Sequence, residues 1–269
     1  LEMYYGDGGG GSGWSLTGNA GTTSSNFIGT TDGQPLMFRY NNLNAGSIGK
    51  SSGGTYLGIG AGENDNAENE PNVGVGYYAL YYNTTGSANS AVGASALASN
   101  TTGSRNSAVG VDALSSNTTG YDNSAVGGFV LGTNTTGYYN SAVGVSALYS
   151  NTTGSYNSVV GIAALASNTT GDYNSAVGNS AGWNIKQKPD AKYQTLLGSS
   201  TYGTRDSISV IGANFIKETI VRGKLIDSTL SAGAGTKAVR WNSSTGEFTY
   251  ADTTAGGGGG SPAGSNRQV

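Results

Sequence analysis

The sequence says almost the same thing every 17 residues. "NSAVGASALASNTTG" at 89–103 returns as "NSAVGVDALSSNTTG" at 106–120, "NSAVGGFVLGTNTTG" at 123–137, "NSAVGVSALYSNTTG" at 140–154 and "NSVVGIAALASNTTG" at 157–171. Whatever one copy forms, its neighbours form too, and they must be able to stack on it. Glycine keeps step at two places in the unit, after each apolar pair (Gly93, Gly110, Gly127, Gly144, Gly161, Gly178) and after each Asn-Thr-Thr (Gly86, Gly103, Gly120, Gly137, Gly154, Gly171). Two glycines per unit imply two corners.

Large aliphatics form two further columns. Val92, Val109, Val126, Val143, Val160 and Val177 make one, and Leu97, Leu114, Leu131, Leu148 and Leu165 the other. These are the expected core. A fixed short period with Gly corners and one aliphatic per straight segment predicts an all-β fold, a parallel β-roll or β-solenoid of 17-residue coils. Helix is excluded by the β-branched residues, paired glycines and turn signals in every unit, and coiled coil by the lack of a heptad. Two large aliphatics per unit are little burial for so many ordered backbones. The missing burial is expected from identical neighbours, with a homotrimer, intertwined or side by side, as the favoured closure.

Composition excludes more than it suggests. Only 11% of residues are charged and the net charge is −3, so no basic field awaits a nucleic acid. No run of 18 apolar residues exists, and insertion into a membrane is not expected. Cysteine and histidine are absent, which removes disulfides, thiolate sites, the commonest general base and the commonest transition-metal ligand. The scattered Ser, Asp and Lys assemble no nucleophile, base and orienter, so the sequence predicts no enzyme, no metal site and no cofactor.

Along the chain, residues 1–13 read as a Gly-rich linker and 14–54 as a small β connector, with strands "NFIG" and "PLMFRY" on either side of the turn signal "TTDGQ". The β-roll repeats span 55–183, opening with a degenerate coil that carries an acidic insertion where later units have "NTTG". A charged loop and further short coils follow at 184–215. A strand and hairpin region covers 216–252, in which Val239 and Trp241 face Phe248 and Tyr250, and 253–269 is again linker composition.

Several motifs admit a sharper reading beside a plain one. "GDGGGGSG" at 6–13 contains a formal Gly-x-Gly-x-x-Gly, but its surroundings are a linker's. Asn83, Asn100, Asn117, Asn134, Asn151 and Asn168 open N-glycosylation sequons, as does Asn242. The competing reading is a turn closing each coil at Gly, and it is preferred because nothing indicates a secretory eukaryotic source. Ranked Thr suggests ice binding, yet Thr84 and Thr85 are adjacent, and neighbours on a strand face opposite ways. Repeated calcium sites need dense Asp, whereas 87–182 holds only Arg105, Asp112, Asp122 and Asp172 as charged residues. Tyr121, Tyr138, Tyr139, Tyr156 and Tyr173 follow the turn and are the candidate surface-contact residues, to stack on sugar rings or a host surface. Their plain reading is that they cover the roll or fill contacts between chains.

The iterated "NSAVGxxALxSNTTG", with "WSLTGNAG…NFIGTTDGQPLMFR" and "RWNSSTGEFTYAD" flanking it, resembles phage tail-fibre and related bacterial surface proteins. "NSAVG" and "SISVIG" are also similar to the head repeats of YadA-type trimeric adhesins. The resemblance implies a left-handed parallel β-roll in which three chains pack together, although the unit here is longer than is usual in adhesin heads. It further implies an extracellular, structural and adhesive role: the shaft or head of a phage tail fibre on a virion mediating host attachment. A bacterial cell-surface or secreted adhesin filament and a carbohydrate-binding repeat module are the alternatives. The expected partners are the chain itself and a cell-surface glycan or protein receptor.

Overall fold

The computed structural model describes residues 29–67, 71–183, 189–201, 209–211, 237–242 and 247–252. The chain divides into two units, residues 1–217 and 218–269. In the first, strands β1 (Leu36–Tyr40) and β2 (Leu43–Gly49) and a single helical turn α1 (Lys50–Gly53) precede a run of short strands. These are β3 (Gly54–Leu57), β4 (Val73–Val75), β5 (Ser90–Val92), β6 (Ser107–Val109), β7 (Ser124–Val126), β8 (Ser141–Val143), β9 (Ser158–Val160), β10 (Ser175–Val177), β11 (Thr195–Leu197) and β12 (Ser209–Ile211). They lie in one sheet in chain order, antiparallel from β1 to β3 and parallel from there to β12. The fold is a parallel β-solenoid of about eight coils, most of them 17 residues apart.

The repeat makes this geometry because each coil bonds its neighbour all the way round. Beyond the strand, Leu97 N–H donates to Ala113 O at 3.0 Å, Ser99 N–H to Ser115 O at 3.0 Å and Thr101 N–H to Thr118 O at 2.9 Å. The corner glycines are dictated by approach. Gly93 has φ 138°, and a Cβ there would strike the carbonyl oxygen of Gly110 in the next coil. Only a residue without a side chain fits.

The segment after this corner is a chain of tight turns. Ala96 N–H donates to Gly93 O at 3.3 Å, Ala98 N–H to Ser95 O at 3.2 Å and Asn100 N–H to Leu97 O at 3.1 Å. Ser95 and Leu97 sit at φ 57° and 52°, where such turns ordinarily place Gly or Asn. A left-handed Leu costs about 1–2 kcal/mol. It is held there because the conformation turns its side chain into the core, fully buried like those of Leu114, Leu131, Leu148 and Leu165.

The other expected core column lies elsewhere. Val92, Val109, Val126, Val143, Val160 and Val177 are 40–48% exposed on the outer face of the sheet, and Ala91, Ala108, Ala125, Ala142, Val159 and Ala176 are fully buried in their place. Successive strand side chains alternate, so in Ser-Ala-Val only one of the last two residues points inward. The small one does, because the opposite wall already brings Leu into a narrow coil.

The antiparallel end carries a hairpin of its own. It turns at Asn41 and Asn42, both with positive φ (46° and 63°). Two consecutive left-handed residues suit a two-residue hairpin, and Asn tolerates them. "TTDGQ" precedes β1 as a bend in which Gln34 N–H donates to Asp32 Oδ1 at 3.2 Å, and "NFIG" falls mostly outside the described residues. In the second unit β13 (Lys237–Asn242) and β14 (Glu247–Asp252) form an antiparallel pair with Val239 opposite Tyr250 and Trp241 opposite Phe248. The strand expected ahead of the hairpin in the region 216–252 lies outside the described residues.

Candidate functional site

Inside the solenoid the sequon asparagines are part of the core. Asn83, Asn100, Asn117, Asn134, Asn151 and Asn168 have no exposed surface. Asn117 Nδ2 donates to Asn100 Oδ1 one coil earlier at 2.8 Å and to Gly120 O at 2.9 Å. Both amide protons are thereby used, and the other central members repeat the pattern. A second row, unrecognised in the sequence reading, runs through Asn72, Asn89, Asn106, Asn123, Asn140, Asn157 and Asn174. There Asn106 Nδ2 donates to Gly120 O at 2.8 Å while its backbone N–H donates to Asn89 Oδ1 at 2.9 Å.

Both rows end at one carboxylate. Asp65 in the degenerate first coil accepts from Asn83 Nδ2 at 2.6 Å, from Asn72 Nδ2 at 3.3 Å and from the Tyr56 hydroxyl. An aspartate suits the end of a row in which each Asn gives one amide proton to the preceding coil, since it accepts and needs no donor of its own. Burial, reinforced by this hydrogen bond, pushes the Tyr56 phenol far above its ordinary value.

On the outside, the structure brings together all five tyrosines expected to make surface contacts. Tyr121 and Tyr138 stack at 4.8 Å with planes 7° apart, as do Tyr156 and Tyr173 at 4.8 Å and 3°. Tyr139 lies on Tyr156 at 5.2 Å, and Tyr138 meets Tyr156 edge-on at 5.4 Å. Tyr193, missed because the coil before it is 20 residues long, extends the stack from Tyr173 at 5.1 Å. In the same column Arg105 holds Asp122 at 2.7 Å, and that guanidinium keeps the Asp122 carboxyl below the usual carboxylate range. At the far end Lys192 holds Asp172 at 2.6 Å. Where Tyr121 meets Tyr138, and where Tyr139, Tyr156, Tyr173 and Tyr193 follow one another, ring faces lie against one another. A sugar ring stacks on a face, and the faces between these stacked partners are covered.

A second surface is apolar. Leu57, Val75, Val92, Val109, Val126, Val143, Val160 and Val177 form an outer stripe along β3 to β10, with Val75 half-buried and the others exposed. No charged residue stands on β4 to β10. Val111, Val145 and Ile162, 49–55% exposed, widen it beyond the Gly corner. At about 4.8 Å per strand the stripe is about 35 Å long, and a continuous exposed apolar strip is a common interaction surface.

Among the described residues no group of three or more acidic side chains is placed to hold a metal ion, and no helix is long and apolar enough to cross a membrane. The fold and these two surfaces define the class: a β-solenoid repeat protein with an Asn-zippered core. No protein family, curated protein or solved structure matches the chain.

Proposed function

We propose that this chain is a structural and adhesive segment of an extracellular fibre, assembled as a homotrimer and serving as the shaft or head by which a phage tail fibre attaches to its host. The apolar stripe carries the reading. An uncharged strip of this length on a stack with a fixed rung spacing is matched along its whole extent only by a surface with the same spacing, and a copy of the chain supplies one. The sequence resemblance to tail-fibre and YadA-type repeats supports the same reading. The mechanism is mechanical: a rigid rod, hydrogen-bonded around every coil, holds a contact surface away from its anchor, and multiple copies strengthen weak contacts.

The second reading is a bacterial surface or secreted filament, which the "NSAVG" repeat supports equally. Neighbouring genes separate the two. Tail-assembly genes beside this one are expected, whereas secretion and anchoring genes there would replace the phage reading with the bacterial one.

A further inference from the structure

In a chain that copies one unit so closely, departures from the unit are the signal. The largest lies on the turn side of the first full coil. Tyr77, Tyr78, Tyr81 and Tyr82 stand where the next coil has Ala94, Ser95, Ala98 and Ser99. Their rings touch in sequence, Tyr77 to Tyr78 at 4.1 Å, Tyr78 to Tyr81 at 4.6 Å and Tyr81 to Tyr82 at 4.7 Å. The planes meet at 45°, 66° and 88°, so these rings do not cover one another's faces as the long Tyr row does. Tyr77 is 51% exposed and Tyr82 57%. The cluster is also braced. Tyr78 lies over Gly60, where a Cβ would strike its ring, and Asn64 Nδ2 donates to Tyr81 O at 2.8 Å, bringing a planar amide beside the aromatic patch. Glu63, next in the chain, accepts from Asn44 Nδ2 at 2.8 Å.

We infer that this cluster is a saccharide-binding site, taking a neutral glycan chain whose sugar rings stack on Tyr82 and Tyr77 while the Asn64 side chain engages its hydroxyls. Open ring faces beside planar polar groups are what sugar rings require. The chain's net charge of −3 disfavours an acidic glycan. The inference rests on the attachment reading and names the chemistry of its receptor.

The test is binding of the full chain to an array of neutral and acidic oligosaccharides, with light scattering on the same samples. Neutral glycans should bind. Tyr82→Ala should weaken them about tenfold or more, and Tyr82→Phe, which keeps the ring face, should bind within about threefold of the parent. Tyr156→Ala should bind like the parent. Loss of binding in Tyr156→Ala but not Tyr82→Ala would move the site to the long Tyr row and overturn the assignment. An assembled fibre that binds nothing on the array, or only acidic glycans, overturns the saccharide site while leaving the fibre reading intact. A monomer that binds neutral glycans through Tyr82 keeps the site and overturns the fibre.

Discussion

Asn100 donates one Nδ2 proton to Asn83 Oδ1, 2.7 Å away in the preceding coil, and the other to Gly103 O at 2.8 Å, with no part of the residue exposed. A buried amide so satisfied adds order where aliphatic burial is thin, and each member depends on its neighbours. Asn117→Ala leaves Asn100 Oδ1 without its donor and one of the two Asn134 Nδ2 protons without an acceptor. Urea denaturation should register a loss of about 2–5 kcal/mol. Thr118→Ala, which removes one hydroxyl bond to Thr135 O from a half-buried position, should cost less than about 1.5 kcal/mol.

Glycine has unequal importance within the repeat. Gly110 has φ 139° and a Cβ there would strike Gly127 O, so Gly110→Ala should destabilise by more than about 3 kcal/mol or prevent folding. Around Gly128 the nearest atom is Val111 O at 3.9 Å. Gly128→Ala should change stability by less than about 1 kcal/mol, with a gain expected from the stiffer unfolded chain. Thermal melts of the pair check both.

Asn83, Asn100, Asn117, Asn134, Asn151 and Asn168 cannot carry sugar in the folded chain, because the Nδ2 that would be glycosylated is buried and hydrogen-bonded. Protein made in an N-glycosylating host and recovered folded should show these positions unmodified by peptide mass mapping. A folded, soluble chain with glycan on Asn117 would contradict the ladder.

Tyr56 sets an alkaline limit. Its phenol is held neutral by burial and by the bond to Asp65, so its folded value lies above the unfolded value of about 10. The stability this contributes is complete below that pH and declines as pH rises past it, because the unfolded chain then ionises a group the folded chain keeps neutral. Absorbance titration near 295 nm should show a phenol that titrates only as the protein unfolds. Tyr56→Phe should abolish that phase.

The stack was legible because the signals that make it are local: the period, the two glycine columns and the lack of any helical stripe. What faces inward was less so. Alternation in Ser-Ala-Val permits either residue to point in, and the choice of Ala91 over Val92 is made by the width of the coil, which depends on Leu97 arriving from the opposite wall. The Asn rows defy the usual sorting of polar residues to the surface. Their trace in the sequence is that Asn100 and Asn106 recur unchanged while outward positions such as Val111 and Tyr149 vary from coil to coil. Asp65 left no such trace, since it occurs once. The contact tyrosines were legible as a column, but that their faces cover one another depends on the spacing between coils.

The central claim is that the apolar stripe is covered by copies of this chain, and light scattering on the purified protein tests it most directly. The expected mass is about three times 27.0 kDa. Val143→Asp, placed on the outside, should keep the β circular dichroism but lose assembly, whereas Leu148→Asp should unfold its coil. A well-folded monomer at micromolar concentration, or a Val143→Asp variant that still assembles, would contradict the account.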